Sequence, residues 1–313
     1  MKTFDCIAIG GTVLDTFVML GSIEHRADPH DPEKFDQCFI LGSKSDVKKI
    51  VQQSGGGASN SCVTFARQRL SCVLLSQVGE DAAAKLVIDE MQTDGVNTGF
   101  VQVLKGAKTG QSVVLVDPDA ERTILTDRGS AGTFTAQTLS ILETMKSRWV
   151  YVTSQNGSIA ALETIFSWAR DNGVKVAWNP GRLDIEKGIR SLKKFVAACA
   201  FLNINKDEAE QLLGEQGNVA HLTQQLRTLG VERVVVTNGA EDLAMIDGSK
   251  HLVKTPHRIK AVDQTGAGDA FGSGTVAGLL LGLPFAESID FGLTNSEHVI
   301  GHIGAKTGIL YRK

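Results

Sequence analysis

Short apolar runs of strand character alternate along this chain with amphipathic stretches of helical period, and few folds accommodate that alternation. The runs are FDCIAIG (4–10), CVLLSQVG (72–79), WVYVTS (149–154), VKVAWN (174–179), AFLNIN (200–205) and VERVVVTNG (231–239). Between most of them lie helical stretches, such as 58–69, 81–93, 157–172 and 218–229. A strand followed by a helix returns as a parallel neighbour, and the helices then cover both faces of the sheet. The expected fold is therefore α/β, a doubly wound, mostly parallel sheet flanked by helices.

Residues 16–44 and 98–127 break the rhythm. They read as strands, for example FVQVLKG, GQSVVLVD and ERTILTD, with turns at Lys105-Gly106 and Asp117-Pro118-Asp119. Paired into one small inserted sheet, they would form a lid over the carboxyl ends of the main strands, where open α/β sheets bind ligands. The alternative is that they extend the main sheet. The segment 26–34 (RADPHDPEK) is polar, holds two prolines and reads as an exposed turn rather than a domain boundary. One body with one inserted lid spans 1–313.

Charge and cysteine usage narrow the function. Lys plus Arg number 32 against 35 Asp plus Glu, a net charge of -3, so no overall positive field draws nucleic acid or an acidic membrane. No apolar stretch approaches the roughly 18 residues of a membrane span, and the opening MKTFDCIAIGGTVLD is too interrupted for a signal peptide. Five widely spread cysteines fit reduced, mostly buried thiols, and a cytoplasmic location is expected. His298 and His302 fall four apart without an evident third metal ligand.

The segment VDQTGAGDAFGSG (262–274) sets glycines around Asp269 at the start of a helical stretch. Backbone N–H groups at a helix N-terminus attract anions, whereas a carboxylate repels them. Phosphoryl transfer reconciles the two, because the N–H groups meet negative charge in the transition state while the carboxylate takes the proton of the attacking hydroxyl. Two other readings stand beside it. Asp269 could be an ordinary first-turn acid, and Gly266, Gly268 and Gly272 with Glu287 loosely follow a dinucleotide fingerprint, although that motif usually opens the first βαβ unit. No Walker-type loop is present.

VDQTGAGDAFGSG resembles the C-terminal signature of the ribokinase-like (PfkB) family of carbohydrate and nucleoside kinases, with Asp263, Thr265, Gly266, Ala267, Gly268 and Asp269 matching. SGGGASNSCVTFARQ (54–68) is similar to the family's N-terminal segment, which implies that Gly55, Gly56 and Asn60 bind substrate hydroxyls. GGTVLD (10–15) resembles its opening strand and turn and implies the same role for Asp15. NKDE (205–208) is similar to the family's N-x-x-E, which places Asn205 near the nucleotide phosphates and gives Glu208 the organisation of Mg²⁺. VVVTNGAED (234–242) resembles the strand and turn that hold ATP, through Thr237 and Gly239, with Asp242 where Gly is common. TNSEHVIGHIGAK (294–306) resembles the helix and turn around adenine, with Asn295 as a nucleotide contact. Thr265 joins the nucleotide set, and the likeness runs over about residues 4–306.

The resemblance implies a ribokinase-like fold and an ATP-dependent kinase acting on a sugar hydroxyl. Asp269 would be the base and Gly266, Ala267 and Gly268 the phosphoryl cradle. A nucleoside kinase of the same fold is the alternative, and a non-catalytic ligand sensor is the rival from another class. The family likeness also raises a monovalent cation such as K⁺ beside Asp263. Some relatives carry Lys within the N-terminal glycine motif; this chain has Gly57, which leans toward an uncharged acceptor, while Lys44, Arg122 or Arg128 would supply charge from the lid. A monomer or a homodimer fits equally.

Overall fold

Alternate residues of the strand Lys2–Ile9 enter two different cores, which is why it reads as a continuous apolar run. Ile7 and Ile9 pack with Val150, Val152 and the helix Ile159–Asp171, while Cys6 and Ala8 pack with Trp149, Tyr151 and the helices Gly57–Arg67 and Ala267–Leu280. The computed structural model describes residues 2–21, 23–28, 31–119 and 121–312. Its central sheet has eight strands in the order Lys250–Lys254, Glu241–Asp247, Arg233–Asn238, Phe201–Asn205, Lys175–Trp178, Met145–Val152, Lys2–Ile9 and Cys72–Leu75. Six are mutually parallel, and the first two form an antiparallel edge.

The chain leaves Lys2–Ile9 toward Cys72–Leu75 on one side and later returns to Met145–Val152 on the other. The helices that follow Lys2–Ile9 and Met145–Val152 therefore lie on opposite faces, and a crevice opens beyond the carboxyl ends of these two strands. The helices expected at 81–93, 157–172 and 218–229 are Ala82–Thr93, Ile159–Asp171 and Val219–Thr228, each trimmed at its start by a capping side chain, from Asp81, Ser158 and Asn218.

A second sheet of four strands, in the order Arg122–Asp127, Gly110–Val116, Val13–Leu20 and Val47–Gly55, rises from the strand ends. Its inner face carries Asp15, Phe17 and Val114; Phe17, Val114 and Val116 pack together against Ile303 of the C-terminal turn. Two expectations for the insertion are corrected. FVQVLKG supplies Gln102–Leu104, which pairs in parallel with Gln77–Gly79 outside this sheet, drawn there by Gln102 N–H on the Ser76 carbonyl (2.9 Å) and Gln77 Nε2 on Gln102 Oε1 (3.0 Å). The edge strand is instead Val47–Gly55, beyond the expected 16–44. Segment 26–34 belongs to a hairpin of Glu24–Asp28 with Asp31–Cys38, and 29–30 lie outside the described residues. All five cysteines are free, and among the described residues no helix is long and apolar enough to cross a membrane.

Candidate active site

A cleft of about 1230 Å³ runs along the carboxyl ends of the parallel strands. Its floor includes Gly11, Thr153, Asn179 and Asn205, which follow or end successive strands, with Asn203 two residues inside the last of them, and its far wall is the N-terminal turn Gly266–Asp269.

Asp263 shapes that turn. Its fully buried carboxylate accepts the Thr265 N–H (2.9 Å) and hydroxyl (2.6 Å) on one oxygen and the Gly304 N–H (2.9 Å) on the other. Thr265 is thereby corrected from a nucleotide contact to a loop former, because its hydroxyl is already committed and it does not line the cleft. Gly266 takes φ +80°, and a Cβ there would stand 2.4 Å from that of Ala305. The helix Ala267–Leu280 starts immediately, so Gly266, Ala267, Gly268 and Asp269 all line the cleft. The Ala267 N–H makes only a long bond of 3.3 Å to Gln264. Gly272 serves packing instead, pressed against Tyr151 and Asn203, which removes the dinucleotide reading of this loop.

Asp269 sits deep in the wall while keeping part of its surface on the cleft. Burial raises its pKa above the ordinary carboxylate value, and the Asn60 amide, donating to Oδ2 at 2.8 Å, works in the opposite direction. Tyr151 below it has its phenol pushed up by burial and by the Asp269 charge, so it stays neutral. Asn60 is only 4 % exposed, its amide nitrogen serves the carboxylate, and its Oδ1 is buried without a hydrogen-bond partner among the described residues.

Asp15 and Gly55 lie just behind the lining, the Asp15 carboxylate folded onto Gly55, while Gly56 reaches the cleft. Asp15 is 6 % exposed and pushed up to about 6, chiefly by burial, with Ser112 and Lys306 pulling it back. Lys306, a residue that sequence reasoning passed over, is 2 % exposed. Its ammonium donates to the Ser54 carbonyl and hydroxyl, and the Ser54 N–H donates to Glu90 (2.6 Å). Residues 304–306 thus hold the Asp263–Gly266 turn through Gly304 and the strand Val47–Gly55 through Lys306.

At the other end, Asn205 and Glu208 face the cleft in a reciprocal cap: Asn205 Oδ1 accepts the Glu208 N–H (2.9 Å) and Glu208 Oε2 accepts the Asn205 N–H (3.1 Å). Glu208 is pushed up to about 7 by burial and then by Asp207 and Asp269. Thr237 and Gly239 line the cleft as expected, and Asp242 accepts the Thr255 hydroxyl (2.5 Å). Asn295 is corrected. It is fully buried, donates to Ala270 O (2.9 Å) and Thr64, accepts the Leu310 N–H (3.0 Å), and so has nothing left for a nucleotide. His302 Nδ1 meets the His298 carbonyl (2.8 Å), not a metal arrangement. Thr153, Asn179 and Asn203 were missed, although their place at the ends of apolar runs was a readable signal.

The sequence matches the pfkB family carbohydrate kinase profile over residues 18–310. It is 27% identical over 250 residues to an uncharacterized sugar kinase of Archaeoglobus fulgidus, covering 78% of this chain and 97% of that one. The ribokinase of Arabidopsis thaliana complexed with ribose and ATP shares the fold, with TM-score 0.78 and 20% identity over 99% of this chain and 96% of its own. So does the adenosine kinase of Sinorhizobium meliloti, with TM-score 0.79 and 19% identity over 97% and 95%. With a match that spans nearly its whole length and a carboxylate beside a glycine-walled helix N-terminus, this chain belongs to the pfkB family of carbohydrate kinases.

Proposed function

We propose that Asp269 deprotonates a sugar hydroxyl as that oxygen attacks the γ-phosphorus of ATP. The new oxygen–phosphorus bond forms while the bond from γ-phosphorus to the β,γ-bridging oxygen breaks, the proton passes to Asp269, and ADP departs. The observation that carries this reading is the juxtaposition of a half-buried carboxylate with the first turn of Ala267–Leu280, where N–H groups and the helix dipole oppose developing negative charge. Gly266, Ala267 and Gly268 are the phosphoryl cradle, with Gly268 leaving room for oxygens. Asp15, Gly55 and Gly56 orient the acceptor. Thr237, Gly239 and the cap of Asn205 border the donor. The lid sheet excludes water, whose attack would hydrolyse ATP. A panel of pentoses, hexoses and nucleosides with ATP tests the reading through acceptor-dependent ADP release.

Glu208 fits a divalent cation. Burial first, and then the neighbouring carboxylates Asp207 and Asp269, hold its pKa up, and a buried carboxylate in such company is relieved by positive charge. Mg²⁺ bound with ATP would supply neutralisation of the β and γ oxygens. Raised to about 7, Glu208 is protonated below that pH, so affinity for Mg²⁺ weakens as pH falls through 7. Glu208→Gln should raise the Mg²⁺ concentration for half-maximal rate at pH 8 by roughly 10- to 100-fold and remove this pH dependence. A monovalent cation such as K⁺ beside the Asp263 loop belongs to the same reading. Activity in K⁺ compared with a bulky organic cation checks it.

Asn60 stabilises the ionised form of Asp269. In Asn60→Ala that support is gone, the carboxyl pKa rises further, and the acid limb of the kcat profile should move to higher pH. An unmoved limb assigns that ionisation to another group.

A further inference from the structure

Resting on the kinase reading above, we infer that the acceptor carries an anionic group, a phosphate monoester or a carboxylate, received by Arg128 at the acceptor end of the cleft. Arg128 follows the lid strand Arg122–Asp127 and lines the cleft. Its Nη1 donates to Asn156 Oδ1 at 3.1 Å, and among the described residues it has no carboxylate partner. Four guanidinium N–H groups remain, in the planar fork that suits a carboxylate or phosphate.

The support beneath Arg128 is built rather than incidental. Asn156 is one of two described non-glycine residues with positive φ, at +50°, a conformation that costs energy and persists only when its surroundings fix it. Asp184 fixes it: this fully buried carboxylate accepts the N–H groups of Gln155 (3.1 Å), Gly157 (2.7 Å) and Gly181 (3.0 Å). Held in that loop, Asn156 donates to the Ala131 carbonyl at 2.6 Å while accepting from Arg128. A merely solvated arginine requires no such mounting. Arg122, six residues earlier on an extended strand, also lines the cleft but stands roughly 20 Å along that strand from Arg128.

Gly57 does not argue for a neutral acceptor once the geometry is known. A Cβ there would stand 3.0 Å from Thr153 Cβ and 3.1 Å from Asp269 Oδ1, so the position is glycine for space around the base, whatever the charge of the acceptor. Asp269 lines the acceptor half of the cleft and Asp15 lies just behind it, and both repel an anion unless Arg128 offsets them.

The test measures kcat/KM for a neutral pentose and hexose, their phosphate monoesters and a sugar acid, with calorimetric binding of each acceptor alongside. Anionic acceptors should be preferred, phosphate over carboxylate or the reverse identifying the source of charge. Arg128→Gln should lower the ratio of anionic to neutral kcat/KM by roughly 30-fold or more, with Arg128→Lys intermediate. Preference for neutral sugars, or a ratio unmoved in Arg128→Gln, overturns the inference and leaves the kinase intact. Anionic ligands that bind through Arg128 without being phosphorylated sustain the site and sink the kinase reading. An acceptor panel with neither binding nor turnover overturns both.

Discussion

Asp269→Asn should retain the fold and nucleotide binding while losing roughly 10²- to 10⁴-fold in kcat, the range spanned by general acid–base catalysis. The substitution is nearly isosteric, and its amide oxygen can still accept from Asn60, which donates to the present carboxylate at 2.8 Å. What disappears is the capacity to take a proton. The raised pKa strengthens this expectation, since a carboxylate held above its ordinary value is a better base once ionised. Its effect on pH dependence has a definite sign: protonated Asp269 is inactive, so the wild-type rate climbs as pH rises through that raised pKa, and the residual rate of the variant lacks the climb. Isothermal titration with a non-hydrolysable ATP analogue separates binding from turnover. A kcat within a few-fold of wild type would remove Asp269 from the mechanism.

Much of this site was legible because its parts are backbone features with local causes. The two glycine motifs announce a helix N-terminus and a tight approach, and strand ends follow from apolar runs; Gly56, Gly266, Ala267, Gly268, Asn205 and Glu208 all line the cleft. What sequence could not assign was the partner of each side chain. Asn60 and Asp269 are 209 positions apart, and nothing local says that an amide near one glycine motif supports the acid of the other. Thr265 and Asn295 look like available polar groups in one dimension, yet each is consumed by neighbours that the fold brings in, Asp263 in one case and Ala270 with Leu310 in the other. FVQVLKG shows the same limit for backbone: its composition gives a strand, while its partner Gln77–Gly79 is a tertiary choice.

Gly266 and Gly268 should separate stability from phosphate access when each is replaced by alanine. At Gly266 two penalties coincide. The backbone sits at φ +80°, which a Cβ disfavours, and that Cβ would stand 2.4 Å from Ala305 Cβ and 2.7 Å from its Cα. Ala305 cannot withdraw cheaply, because the preceding Gly304 N–H is tied to Asp263 and Lys306 is anchored to Ser54. Gly266→Ala should therefore cost roughly 2–4 kcal/mol of stability, with the strain and overpacking adding, and activity should fall with the displaced turn. Gly268 is the opposite case, exposed, without positive φ and with no atom within 4 Å of where an alanine methyl would stand. Gly268→Ala should leave the thermal midpoint within about a degree or two, and any loss must come from a methyl standing where the transferring phosphoryl approaches. Differential scanning calorimetry and ATP kinetics on the pair decide the matter. If Gly268→Ala proves fully active, the phosphoryl group does not pass over this turn, and the cradle must be sought among the other N–H groups of the cleft.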